Sequence, residues 1–147
     1  MRITRRITKE KVIEWASSLD VTPDVSPYLV LAVVLADNRL SADTKIIIPT
    51  AGTVYGRSAI CSVTPAMLRV LKNHNVVISY RDSREAILGL KKYLSILLDE
   101  VSDNLIEVLG VYKMGIEPSN YDGNLTTSAR LYANRCIEIY DALTNTE

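Results

Sequence analysis

The sequence predicts a mainly α-helical bundle of about five helices, with one long near-heptad helix and a small β-hairpin insertion. Three observations carry this prediction: helix-capping residues recur along the chain, apolar residues recur at helical spacing, and one β-branched segment interrupts them. A length of 147 residues is sufficient for one domain with its own core. The composition, 48% hydrophobic and 23% charged, is that of a globular protein. We therefore expect residues 1–147 to form a single domain.

The first two predicted helices differ in character. Segment 1–20 is a basic N-terminal helix for which Thr8 is a suitable N-cap. In segment 26–37, Ser26 can cap a helix and Pro27 suits its first position. The nine apolar residues that follow have no polar face, so this helix belongs in the centre of the core or in an interface between subunits. Taken alone, the apolar run fits a buried strand equally well, and it is the capping pattern that favours a helix.

Segment 45–61 predicts a β-hairpin. Ile46, Ile47 and Ile48 are β-branched, and Pro49 after them suits an edge strand. Turn-forming residues and a second extended piece complete the pattern. The helical bundle then occupies 64–147, and at its start Thr64 can cap a helix whose first position suits Pro65.

Segment 83–115 is the longest uninterrupted pattern and predicts one helix between Asp82, a suitable N-cap, and Gly115, a natural C-cap. At ~1.5 Å per residue such a helix would be about 45 Å long, which exceeds a compact domain of this size. Either part of it contacts another chain, or the helix breaks.

The apolar residues of this helix recur at intervals of three or four, which is typical of packing along a neighbouring helix. Its first half is basic and its second half acidic, and copies packed head to tail would pair the two ends. We therefore assign self-association to the apolar stripe: Ile87, Leu90, Leu94, Leu97, Val101, Leu105, Val108 and Tyr112.

Residues with catalytic or metal-binding chemistry are sparse. The chain has one histidine, and its two cysteines, Cys61 and Cys136, lie far apart and match no metal or redox spacing. Two buried thiols are expected rather than a disulfide. The sequence contains no phosphate-binding loop and no nucleophile motif. It therefore predicts a protein that is not an enzyme and that holds no cofactor and no metal.

Basic residues cluster although the net charge is zero, with 17 Lys and Arg against 17 Asp and Glu. Attraction to nucleic acid must therefore come from a local patch. One cluster is the amino terminus, and the other surrounds the start of the long helix. The predicted phosphate contacts are Arg2, Arg5, Arg6, Lys9, Lys11, Arg81, Arg84, Lys91 and Lys92.

These features together predict a non-enzymatic structural subunit of a self-assembling nucleoprotein complex. A virion coat protein or a small helical subunit would fit, located in the cytoplasm or the virion. It would form a homo-oligomer and contact the nucleic-acid backbone without sequence specificity. No membrane is expected, since the longest apolar run has nine residues and a span needs about twenty. The alternative is a helical protein-binding adaptor or regulator that acts as a homodimer without nucleic acid.

Overall fold

A computed structural model describes residues 6–53 and 56–145. Helices make up 57% of the structure, which confirms the mainly α class. Within the described residues there are six α-helices: α1 Lys9–Ser17, α2 Pro27–Asp37, α3 Pro65–Asn73, α4 Ser83–Glu100, α5 Leu105–Met114 and α6 Thr127–Thr144. Two small antiparallel sheets accompany them, formed by β1 Ile7–Thr8 with β2 Ile46–Ile47, and by β3 Ala51–Gly52 with β4 Ser58–Ala59.

The helix ends follow the predicted capping residues. Side chains of Thr8, Ser26, Thr64 and Asp82 each accept a hydrogen bond from a backbone N–H in the first turn of α1, α2, α3 and α4. Such caps satisfy N–H groups that have no partner within the helix. Gly115 ends α5 with a φ of 67°, a conformation that glycine adopts without strain.

Helix α2 is the centre of the core. All eight residues from Leu29 to Ala36 are buried, and α1, α4 and α6 contact the helix. A helix that is apolar on every face requires such enclosure. The helical interpretation of this segment is therefore confirmed, and its apolar surface is covered by the chain's own helices.

The predicted N-terminal helix is shorter than 1–20. It begins at Lys9, because Ile7 and Thr8 are extended and pair with β2. Ile7 lies opposite Ile47, and both side chains are buried, so the pairing closes one side of the core. Residues 1–5 lie outside the described residues.

The predicted hairpin is also corrected. A hairpin does form, but from β3 and β4, with Ala51 opposite Ala59. β2 pairs with β1 instead. The backbone changes partner after Pro49, where the side-chain oxygen of Asn38 accepts hydrogen bonds from the N–H groups of Thr50 (2.7 Å) and Ala51 (3.1 Å).

The long helix predicted for 83–115 breaks at 101–104. Asn104 caps α5, since its side-chain oxygen accepts from the N–H of Ile106 at 2.8 Å, and Ser102 accepts from the N–H of Asn104 at 3.0 Å. Short polar side chains compete in this way with the backbone bonds of a helix. Of the two outcomes that the length allowed, the structure shows the break.

Candidate nucleic-acid interface

A groove of about 570 Å³ lies where β1 and α1 meet the start of α4. The β1–β2 pairing holds residues 6–8 extended at one wall, and the capped first turn of α4 forms the other wall. Cations and a tryptophan share this groove with the two carboxylates of Asp82 and Glu85.

The groove brings together three of the predicted phosphate contacts. Arg6 precedes β1, Lys11 lies in the first turn of α1, and Arg84 lies in the first turn of α4. All three residues are exposed. The two basic clusters of the sequence therefore meet, in part, at one concave surface.

Trp15 is the aromatic residue of the groove, and sequence reasoning did not select it. It is partly exposed, and the Lys11 ammonium lies 5.9 Å from the centre of its ring. Lys11 also pairs with Glu14 at 3.1 Å, but both side chains are exposed, and such pairs contribute little. One feature of the sequence could have identified Trp15. The chain's single tryptophan follows Lys11 by four residues, a spacing that places both side chains on one helix face.

The two carboxylates of the groove are engaged with backbone N–H groups. Asp82 accepts from the N–H of Glu85 at 3.0 Å, and Glu85 accepts from the N–H of Ser79 at 3.1 Å. They stabilise the start of α4 and the turn before it. The residues that line the groove therefore carry three positive and two negative groups, and Glu14, the partner of Lys11, adds a third negative group at its edge.

Lys91 is a correction to the predicted set. It is 3% exposed, and its ammonium donates to the carbonyl oxygens of Ala16 (2.6 Å) and Leu19 (2.5 Å). A cation is favoured at these carbonyls because the C-terminal end of a helix is electronegative. Lys91 joins α4 to the end of α1 and cannot contact phosphate.

The other described cations of the predicted set, Lys9, Arg81 and Lys92, do not line the groove. Lys9 donates to the carbonyl of Ala42 at 2.8 Å and is partly buried, and Lys92 is partly exposed. Arg81 is exposed and lines a neighbouring cavity of about 440 Å³ together with Arg57, which was not predicted. Arg2 and Arg5 lie outside the described residues.

The predicted self-association stripe is part of the chain's own core, which corrects its assignment. Ile87, Leu90, Leu94, Leu97 and Val108 are 0% exposed. Tyr112 is 4% exposed, and Val101 and Leu105 are partly buried against the same core. The break between α4 and α5 lets both halves of the stripe pack inside one chain. The stripe is therefore packed within one chain, and only Val101 and Leu105 keep part of their surface exposed.

A second polar feature centres on Asp37, the last residue of α2. Its carboxylate accepts from the N–H of Ser62 (2.9 Å) and from the hydroxyls of Tyr112 (2.7 Å) and Tyr132 (2.5 Å). Tyr112 also approaches the carbonyl oxygen of Ser62 at 2.8 Å. The network ties α2 to α5, to α6 and to the segment before α3.

Burial raises the pKa of Asp37, and this effect outweighs the donated hydrogen bonds and the nearby Lys113, each of which lowers the pKa. Asp37 also lines a cavity of about 510 Å³ with Arg39, Lys113 and Tyr132. A carboxyl with a perturbed pKa beside a cavity is a common feature of functional sites. Here, however, both carboxylate oxygens already have protein donors, so the arrangement is explained by its structural role.

The two cysteines adjoin the Asp37 network, since Tyr112 hydrogen-bonds with Cys61 and Tyr132 with Cys136. Cys61 and Cys136 are free and buried, as expected, and burial raises the pKa of Cys136 to about 12. In 6–53 and 56–145, no three His, Cys, Asp or Glu side chains are grouped so as to hold a metal ion. His74 ends α3, and its ring nitrogen lies 3.1 Å from the Glu100 carboxylate.

None of the helices in the described parts of the chain is both long enough and apolar enough to cross a membrane. Comparison of the chain with protein-family models, with curated proteins and with solved structures gives no match.

Proposed function

We propose that this protein binds nucleic-acid phosphates through the groove between α1 and α4, as a non-enzymatic structural subunit of a nucleoprotein assembly. The observation that supports the proposal is the convergence of Arg6, Lys11 and Arg84 on one concave surface. These cations come from two segments that are about 75 residues apart in sequence, so their meeting is a product of the fold.

The chemistry of the groove favours phosphate. Arg6 and Arg84 make no ion pair with any described residue, so their guanidinium groups are available to a ligand. Guanidinium groups bind phosphate oxygens in a bidentate manner. Lys11 can exchange its exposed partner Glu14 for a phosphate at little cost.

The basic surface extends beyond the groove. Arg81 directly precedes Asp82, a residue of the groove, and shares the neighbouring cavity with Arg57 of the β3–β4 turn. A backbone that leaves the groove past Arg81 meets further positive charge. This arrangement supports contact with several successive phosphates. Such contacts do not distinguish one base sequence from another.

The first prediction tests the groove by charge removal. The double variant Arg6→Gln and Arg84→Gln should bind a labelled random-sequence oligonucleotide at least tenfold more weakly at low salt. The salt slope of log affinity should fall by about 1.4, since each phosphate contact on a single strand contributes ~0.7. Fluorescence anisotropy at several salt concentrations measures both quantities.

The matched control is the double variant Lys72→Gln and Arg130→Gln, which removes the same charge from exposed positions outside the groove. It should retain the wild-type affinity and slope. Equal weakening by both double variants would show that total charge alone governs binding and would reject the groove.

A further inference from the structure

We propose that the groove receives an unpaired nucleotide, with its base stacked on the Trp15 ring and its phosphates held by Arg6, Lys11 and Arg84. The inference deepens the proposed function and rests on it. It assigns single-stranded nucleic acid as the ligand class.

The combination of side chains carries this assignment. Sites for single strands pair a positively charged groove with aromatic rings, because every base has a face that can stack. Trp15 is partly exposed within the groove, at the same helix face as Lys11. The Lys11 ammonium lies over the Trp15 ring, 5.9 Å from its centre, so a base that stacks on this face displaces the ammonium toward the adjoining phosphate.

The shape of the groove favours one nucleotide over a duplex. Its volume of about 570 Å³ falls in the range of roughly 300–1,000 Å³ that is usual for small-molecule sites. Bases of a duplex are stacked within the helix, and a side chain in a concave groove reaches a base face only when the base is unpaired. If a duplex bound in the groove, the Trp15 ring would not stack on any base.

The packing of Trp15 also allows this role. Trp15 is half-buried, packs against the core and lines the groove, so the core contact limits how its side chain can move. An aromatic ring that is held in place can stack with little loss of side-chain entropy.

The test uses the fact that Trp15 is the only tryptophan of the chain, so tryptophan fluorescence reports on this groove alone. Oligothymidylate should quench the emission as it binds. An abasic strand of the same length, with the same phosphates and no bases, should bind about tenfold more weakly and leave the emission nearly unchanged. A duplex of the same length should also quench far less than the single strand.

Substitution of Trp15 provides a second test of the stacked base. Trp15→Leu keeps an apolar side chain and should weaken binding of labelled oligothymidylate about tenfold, while binding of the abasic strand stays the same. Trp15→Phe should recover part of the affinity. Far-UV circular dichroism establishes that each variant is folded, and the abasic comparison on the wild-type protein remains decisive if one is not.

The outcomes separate the two proposals. If oligothymidylate and the abasic strand bind equally and Trp15 emission does not change, the stacked nucleotide is rejected and phosphate binding by the groove stands. If no strand binds at low salt, both proposals are rejected.

Discussion

Asp37 carries a carboxyl whose partners come from three other parts of the chain. Ser62, Tyr112 and Tyr132 lie 25, 75 and 95 positions away in sequence. No local pattern marks these residues as a group, so the network could not be predicted from the sequence. It forms because the fold brings the ends of α2 and α5 and the first half of α6 together around one carboxyl.

The Asp37 network makes a prediction about pH. Because burial raises its pKa in the folded state, the folded protein binds the Asp37 proton more tightly than the unfolded chain does. Its contribution to stability is complete below the ordinary value of 3.8 and is lost as pH rises through the raised pKa. Relative to Asp37→Asn, the wild-type protein should therefore lose stability between strongly acidic and neutral pH. Urea unfolding midpoints across that range measure this difference.

Asp24→Asn is the matched control, because Asp24 is exposed. It should leave the pH profile of the wild-type protein essentially unchanged. A wild-type protein that gains stability over Asp37→Asn as pH rises would contradict the assignment of the raised pKa.

Lys91 shows that only the fold distinguishes the exposed predicted cations from the buried one. Within the sequence, Lys91 and Lys92 are equivalent neighbours in a basic stretch. The carbonyls that bind the Lys91 ammonium belong to residues 75 and 72 positions away. Its removal from the phosphate-binding set therefore depended on how α1 packs on α4.

At the scale of elements, the near-heptad stripe correctly predicted that α4 and α5 have helical neighbours. It did not identify the chain to which those neighbours belong, since any apolar helix face satisfies the same spacing. The local sequence does indicate the break between α4 and α5, because the helix-capping residues Ser102, Asp103 and Asn104 follow one another. The continuous apolar spacing outweighed that signal.

The stripe makes a prediction that separates a core role from an interface role. Leu94→Ala should lower the free energy of unfolding by about 2–5 kcal/mol, because Leu94 is fully buried in the core of one chain. The molar mass in solution should not change. Chemical denaturation and light scattering measure the two quantities.

Leu131→Ala is its control, since Leu131 is 65% exposed on α6. That variant should alter stability by no more than about 0.5 kcal/mol. If the Leu94→Ala protein were as stable as the wild type but had a different molar mass, the stripe would be an intersubunit interface and not part of the core.

At the scale of the whole molecule, assembly is a separate prediction from groove binding. A net charge of zero provides no long-range repulsion between copies. If the protein is an assembly subunit, its scattering mass should exceed 16.3 kDa and rise with concentration or on addition of a long single strand. A mass of one chain under all of these conditions would reject assembly. Assembly with no effect of nucleic acid would favour the homodimeric adaptor.

The sequence by itself determined the helical class, the capped starts of four helices and the enclosure of α2. These follow from contacts within a few residues or from the hydrophobicity of one segment. Only the tertiary structure decided which cations share a groove with Trp15, which lysine is buried, and that the apolar stripe packs within one chain. Those outcomes depend on contacts between residues far apart in sequence, and no local pattern of residues specifies such contacts.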